Sequence, residues 1–543
     1  MAHVRGTLGL LLAAALAAPR LAAQAPTWQP LRAIGDEGDE RARAAQLLGD
    51  STVGDLLRSA STLTPALAGD TARLRLAFLV PDLLAVSNST IPFSLNDGAL
   101  WAGRGWNERL RFGLRAEWGR FFLILAPELI ASQNLAYPMP APATTLTRPA
   151  DRNPLSSPWH IDPSIDAPLR FGYTGFALLD PGQTTLGARF GAFTAGLSTE
   201  NEWWGPGIRD AIVLSDNAAG IPRIFLRTVR PIHTPIGGLE ADWFLGGLVE
   251  SRYFDTHPAN DWRSITGLAL VWHPEFDRGL SLGIERTVYA PLGTWTGLFG
   301  HLFDVLLDRG TRNAPDTGVV ARREQIFGVF GRWVFPADHF AVHFEWARTQ
   351  LPASLGDLLT DPNYSQGYTL GLEWGTPVHA ARDLLRLQAE ATYLEKSPAY
   401  RDKPLESFYT SSVVPQGYTQ DGQVIGAAIG QGASSQWLGI DYLAPAWRVG
   451  IFGGRIRWDD DALYSFPTPP TAYAANKWCS HDVSLFGGAT ADVRSPWGRV
   501  RVTVTRGERL DLFFHNLTQC DLNPNQLAIL DARNTTLEVR FTP

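Results

Sequence analysis

Along residues 108–118 the chain reads Glu-Arg-Leu-Arg-Phe-Gly-Leu-Arg-Ala-Glu-Trp. Leu110, Phe112, Leu114, Ala116 and Trp118 fall on one parity, and Arg109, Arg111, Arg115 and Glu117 on the other. Successive side chains of a strand point to opposite faces, so this segment has one apolar and one charged face. Phe340, Val342, Phe344 and Trp346 alternate in the same way with His343 and Glu345, and Val500, Val502 and Val504 with Arg499 and Arg501. In a soluble sandwich the apolar faces bury one another. In an outer-membrane barrel they meet lipid while the polar faces line a wet lumen.

Eighteen candidate strands lie between about residues 72 and 541, several about ten residues long, the length a tilted strand needs to cross a bilayer. Short connections such as Trp118-Gly119, Asp180–Thr184 and Phe335–Asp338 alternate with long ones near 88–106, 131–169, 198–222, 291–323, 397–434, 459–481 and 515–531. Short turns on one side and long loops on the other are the mark of a transmembrane barrel, with the loops outside. The expected fold is therefore all-β, a transmembrane antiparallel β-barrel of about 18 strands spanning 71–543. An even count leaves both ends of the chain on the periplasmic side.

Ahead of the sheet, Arg5 precedes an apolar run from Leu8 to Ala18, then Pro19 and small residues to Ala25. That is the layout of a signal peptide over 1–25, and the run is too short to span a bilayer as a helix. From Ala33 to Ser61 the pattern is helical: acids at Asp36–Glu40 open one segment, and Ser51-Thr52 caps a second holding Val53, Leu56 and Leu57. Residues 26–70 are expected to form a short periplasmic α-helical element. From Arg73 onward no helix is expected.

Composition narrows the function. Charged residues are 19%, glycines number 52 and tryptophans 19, and the net charge of −7 gives no clustered basic surface for nucleic acid. The two cysteines, Cys479 and Cys520, fall in consecutive long loops on the outer face, and in an exported chain they suggest one disulfide. They are too few for a metal site. The chain holds no His-Glu-x-x-His, phosphate loop, dinucleotide fingerprint or Gly-x-Ser-x-Gly elbow, so no enzyme, cofactor or metal is expected. Asp459-Asp460-Asp461 reads as a solvated acidic loop.

At residues 198–228 the chain reads Ser-Thr-Glu-Asn-Glu-Trp-Trp-Gly-Pro-Gly-Ile-Arg-Asp-Ala-Ile-Val-Leu-Ser-Asp-Asn-Ala-Ala-Gly-Ile-Pro-Arg-Ile-Phe-Leu-Arg-Thr. This resembles the signature of the Wzi capsule-assembly family, in which a tryptophan-Gly-Pro segment leads into Leu-Ser-Asn-Asn-Ala. Asn96-Asp97-Gly98-Ala99-Leu100-Trp101, Asp180-Pro181-Gly182-Gln183 and Gly422-Gln423-Val424-Ile425-Gly426 resemble three other blocks of that family, in order. Asp216 stands where the family carries Asn, and the helical element is shorter than the family's three-helix bundle. The resemblance implies an eighteen-stranded outer-membrane lectin that organises capsular polysaccharide without catalysis, and the strand count draws on it as well as on the alternation. The runner-up is a porin-type channel for saccharides or small solutes, and an outer-membrane hydrolase stands third.

A sugar site needs flat apolar faces and planar polar side chains whose hydrogen bonds are satisfied. Trp203 and Trp204 with Asn201, Glu202, Arg209 and Asn217 carry that inventory, and Trp101 and Arg104, with Trp106 beside them, carry a similar one. The competing reading is that Trp203–Gly207 is a rigid turn folding its loop back into the lumen as a plug. Trp333, Trp346 and Trp374 read as interface-girdle residues, and the inward arginines as partners of inward acids. The partners expected are a surface polysaccharide and outer-membrane lipid, with the barrel a monomer.

Overall fold

The computed structural model describes residues 27–49, 56–139, 151–307, 322–352, 354–379, 382–398, 405–465, 481–514 and 531–543. The expected signal peptide (1–25) and the Cys479–Cys520 pair lie outside the described residues.

One antiparallel sheet closes on itself as an eighteen-stranded barrel. In chain order its strands are β1 (Arg75–Asn88), β2 (Gly105–Trp118), β3 (Phe121–Leu125 with Glu128–Ser132), β4 (Phe176–Asp180 with Thr185–Phe190), β5 (Phe193–Ser198) and β6 (Arg223–Thr228 with Ile232–Thr234). They continue as β7 (Gly237–Val249), β8 (Trp262–Pro274), β9 (Leu280–Pro291), β10 (Glu324–Phe335), β11 (Phe340–Arg348) and β12 (Gln366–Val378). The last six are β13 (Asp383–Tyr393), β14 (Ser434–Leu443), β15 (Trp447–Arg457), β16 (Val483–Ser495), β17 (Gly498–Leu510) and β18 (Ala532–Thr542). Each strand pairs with its sequence neighbour, and β18 pairs with β1 through Leu537↔Ser87 and Val539↔Ala85 to close the wall. Below that seam Thr27–Gln29 pairs in parallel with Ala77–Leu79 and covers the edge of β1 that β18 leaves open.

The wall is inside out relative to a soluble protein. On β2, Arg109, Arg111, Arg115 and Glu117 are buried while Phe112 and Trp118 are exposed. On β13, Arg386, Gln388, Glu390 and Thr392 are buried and alternate with the more open Leu385, Leu387 and Ala389. The buried charges pair across strands, Arg109 with Asp82 at 3.3 Å, Arg111 with Glu128 at 2.7 Å, Arg75 with Glu117 at 2.8 Å and Arg501 with Asp492 at 3.0 Å, and Glu117 also holds Arg115 of its own strand at 2.6 Å. Trp333 and Trp374 lie near the short-turn end of the wall and are exposed, whereas Trp346 lies near the long-loop end.

Four expectations need correction. Asp180–Thr184 is not a hairpin but an interruption within β4, because both halves of β4 pair with β3; the turn is at Gly191, whose φ of +59° suits glycine. β1 runs to Asn88 rather than ending near 80, since the register shift between Leu79 and Asp82 absorbs Pro81 without breaking the strand. The segment after Ser51-Thr52 is strand at Leu57–Ser59, with a single helical turn at Ala60–Leu63; residues 50–55 lie outside the described residues. Short helical turns also occur in outer loops, at Trp295–His301, Asp304–Leu307 and Leu355–Thr360.

The expected first helix forms as α1 (Glu37–Leu47). Asp36 accepts from the Asp39 N–H at 2.9 Å, and Glu37, Asp39 and Glu40 occupy the first turn, where the helix dipole favours acids. It does not stand ahead of the sheet but is seated in the short-turn mouth of the barrel. Glu37 meets Arg499 at 2.8 Å and Arg501 at 3.3 Å, Glu40 meets Arg386 at 2.7 Å, and Arg43 meets Glu373 at 2.7 Å. Glu373 also accepts from Arg332 at 3.1 Å and from Gln388 at 3.0 Å. Removing one partner of a buried pair strands the other charge. Glu373→Ala is therefore expected to destabilise the folded barrel by about 3 kcal/mol, read as a lower urea midpoint by the heat-sensitive gel mobility of the detergent-folded protein.

Candidate functional site

The loop joining β5 to β6 turns down into the barrel. Its Glu202–Trp204 segment forms a two-stranded ribbon with Leu57–Ser59, so the N-terminal region and this loop meet inside the lumen. Gly205 N–H donates to the Leu56 carbonyl at 2.8 Å. Carboxylates from the wall hold the turn that follows: Glu390 accepts from the N–H groups of Ile208, Arg209 and Asp210 at 2.5, 2.7 and 2.9 Å, and Glu345 from those of Ile212 and Val213 at 2.7 and 3.1 Å.

The loop joining β13 to β14 packs on it from outside. The Tyr409 and Tyr418 hydroxyls donate to the carbonyls of Ile212 and Val213, each at 2.7 Å, and their rings stack 5.7 Å apart. Ser215 N–H donates to the Ile425 carbonyl at 2.9 Å, and Gly98 N–H to that of Asp216 at 2.8 Å. Gln183 donates to Asn201 at 2.7 Å. All four blocks that carry the family resemblance thus converge in one lumenal plug.

The plug decides where the expected site residues lie. Trp204 is fully buried, packed against Phe244 with ring centres 5.5 Å apart. Trp203 is buried beneath the Arg58 guanidinium, 5.2 Å from its ring centre. Glu202 is buried against Arg223 at 2.7 Å. Asn201 donates to the Ala218 carbonyl at 2.8 Å, and Arg209 lies 5.6 Å from the centre of the Trp437 ring. All five lie in the plug rather than on the outer surface of the loops; Asn201, Trp203 and Arg209 line a lumenal cavity, and Arg209 is exposed. Arg104 ties two outer loops together through the carbonyls of Ser89 and Ala136.

Among the described residues two sizeable cavities stand out. A lumenal one of about 300 Å³ lies between α1 and the plug, lined by Asn201, Trp203, Arg209, Asp97 and Asp216 and by wall arginines including Arg109, Arg111 and Arg540. An outer one of about 250 Å³ sits above it at the long-loop end, lined by parts of several outer loops. Of the expected site residues, Trp101 and Asn217 line the outer cavity.

The outer cavity has an aromatic wall. Trp159 stacks on Phe513 at 5.5 Å and meets Phe514 edge-on at 5.4 Å, while Tyr137 stacks on Phe513 at 6.4 Å. These rings are packed among themselves, whereas Trp101, Phe171 and Trp458 are partly open. The polar side is planar and directional. Asp459 is hydrogen-bonded by His160 at 2.7 Å and by Gln431 at 3.0 Å, and Gln423 donates to the Asn217 carbonyl at 3.0 Å. Asp482 takes Arg509 in a bidentate pair at 2.6 and 2.7 Å and also accepts from Phe513 N–H at 2.8 Å. Arg509 in turn lies 5.0 Å from the Trp458 ring centre.

Backbone strain gathers here. Asp459, Asp511, Phe513 and Phe514 all have left-handed φ, between +43° and +62°, a conformation that costs non-glycine residues energy and persists where neighbours enforce it. Asp482 holding the Phe513 N–H is one such enforcement. No local motif marks this site, because its residues are far apart in sequence. Clustering of Trp, Phe and Asp at strand tops, as in Trp458-Asp459 and Leu512-Phe513-Phe514, is the one signal that could have found it.

No protein-family model and no curated protein matches this sequence. Among solved structures the chain is similar to Wzi of Escherichia coli, an outer-membrane protein involved in group 1 capsule assembly and described as a carbohydrate-binding β-barrel. The TM-score is 0.52 at 10% identity, over 85% of this chain and 84% of that one. OccAB2 of Acinetobacter baumannii aligns with a TM-score of 0.38 at 10% identity, over 86% and 97% of the two chains. OpdQ of Pseudomonas aeruginosa aligns with a TM-score of 0.36 at 10% identity, over the same shares. The fold is that of the Wzi barrel, and the chain is an outer-membrane β-barrel.

Asp97 and Asp216 make the plug pH-sensitive. Burial raises the Asp97 carboxyl to about 7, helped by the charge of Glu538 and opposed by the Ser94 hydroxyl and Arg109. Burial likewise raises Asp216 to about 7, opposed by Arg58 and helped by Asp97. A carboxyl whose folded pKa lies above its ordinary value binds more protons folded than unfolded, so its contribution to stability is lost as pH rises from about 4 through 7. Exchange of the Gly98 amide, corrected for its intrinsic rate, is expected to be better protected at pH 5 than at pH 8. Asp97→Asn with Asp216→Asn should remove that difference.

Proposed function

We propose that this protein is a polysaccharide-holding barrel of the outer membrane, binding one saccharide unit in the outer cavity without turning it over, as a monomer. The observation that carries this reading is the cavity itself. The partly open rings of Trp101 and Trp458 line it together with the planar polar groups of Asp459, Gln431 and Gln423, the inventory that the two faces of a pyranose ring demand. Its cation, Arg509, is already neutralised by Asp482, and Asp459 adds a further carboxylate. The cavity therefore suits a neutral sugar better than a uronic acid. That the similar Wzi barrel is described as carbohydrate-binding supports the same reading.

One observation favours a second reading, a conduit. The two cavities share Phe93 in their linings, and its ring packs edge-on against Phe486, which lines the lumenal one, at 5.6 Å. The lumen itself is occupied by α1 and the plug. Planar-bilayer recording of the reconstituted protein separates the readings: the plugged binder gives little conductance, and large regular steps would establish the channel.

The binding reading is tested by titrating neutral and uronic-acid polysaccharides into the folded, detergent-solubilised protein. Trp101→Ala and Trp458→Ala should each weaken the neutral glycan about tenfold, the worth of one well-used ring, with gel mobility unchanged. Unaltered affinity in both variants would overturn this assignment.

A further inference from the structure

The described first part of the loop that follows β9, residues 292–307, folds down over the outer wall of the barrel. Gly247 on β7 faces outward, since Phe244 and Leu248 on the opposite parity lie in the buried core. The ring of Trp295 occupies the space beside it so closely that an added Cβ would come within 2.4 Å. The same ring packs on Trp262 of β8 with centres 4.6 Å apart.

On β9 the outward Arg286 donates to the Val305 carbonyl of this loop at 2.8 Å and to Gln325 of β10 at 2.6 Å. Ser264, Thr266, Val288 and Ala290 share that outward face and are nevertheless buried. Farther down the same strands, Leu270 and Ile284 are exposed. The segment is therefore a cover over a stretch of wall holding a guanidinium, an amide and two hydroxyls. Left bare to hydrocarbon, an outward arginine is costly in a barrel wall.

The cover's own outer surface is apolar. Phe299, Phe303, Leu306 and Leu307 are exposed, Phe299 at 67% and Leu307 at 75%. Its charged groups are tied together, Asp304 accepting from His301 at 2.7 Å and pairing with Arg323 at 2.8 Å. Height fixes what it touches. Trp272 and Trp262 mark the two ends of the outward face of β8, ten residues apart. That is roughly 33 Å of strand, or about 25 Å of height at a usual tilt, the span of a barrel's apolar band. Ser264 and Thr266 lie within that band, so a segment resting on them is continuous with the lipid-facing wall.

We propose that Trp295–Leu307 is a lipid-facing clamp seated in the outer leaflet, its exposed rings and leucines packed against acyl chains. It shields the polar stretch of β8, β9 and β10 and widens the apolar belt on that side of the barrel.

The test uses the full chain reconstituted in phosphatidylcholine vesicles carrying a diazirine on the acyl chain. After irradiation, mass spectrometry should find adducts on Phe299, Phe303, Leu306 or Leu307 at a yield within about twofold of those on Leu270 and Ile284. Labelling of Leu270 and Ile284 with none on this segment would overturn the proposal. So would cross-links joining the segment to a second copy of the chain, which would assign the face to self-association instead.

Discussion

A wall with hydrocarbon on one side and a narrow enclosed lumen on the other leaves charge only one place to go. Each strand that turns leucine, phenylalanine and tryptophan outward must turn its arginines and acids inward, where little water can solvate them. An unpaired buried charge would be prohibitive, so the interior becomes a lattice of ion pairs. Arg115 and Arg386, both fully buried, are held by Glu117 and by Asp441 with Glu40. The same requirement recruits the N-terminal helix. The acids of α1 meet arginines of the lower wall, and a small apolar contact of Ala44 with Leu384 and Leu443 completes the closure of the mouth.

The plug follows from the same constraint. Backbone that enters a closed lumen must have its N–H and C=O groups satisfied by protein. The β5–β6 loop finds partners in the Leu57–Ser59 ribbon, in Glu345 and Glu390 of the wall, and in Tyr409 and Tyr418 of the β13–β14 loop. The blocks that resemble the capsule-assembly family are these plug-building segments. In this chain those residues fill the lumen, and the outer cavity is built largely by other segments. Fold and ligand are separate questions in such a barrel.

Alternation made the wall legible, because a period of two survives any choice of neighbour; most strand positions could be read from it, while the count of eighteen drew on the family resemblance as well. What failed was local punctuation. Asp180-Pro181-Gly182-Gln183 has turn chemistry but is spent on an interruption in β4, while the hairpin falls on the plainer Phe190-Gly191-Ala192-Phe193. Trp203 and Trp204 looked like a sugar platform since nothing nearby in sequence reveals that Leu57–Ser59, well over a hundred residues away, will cover them. The lining of the outer cavity overlaps the expected residues only in part. Trp101 and Asn217 were expected to bind sugar, but Trp458, Asp459, Gln431 and Phe513 reach it only through barrel closure.

The central claim, that the apolar side of this wall touches lipid, is tested most directly by sedimentation of the refolded chain from residue 26 with and without amphiphile. The account predicts a monodisperse monomer of heat-sensitive gel mobility in detergent or lipid discs, and precipitation when the amphiphile is removed. A monodisperse, folded monomer in plain buffer would contradict it.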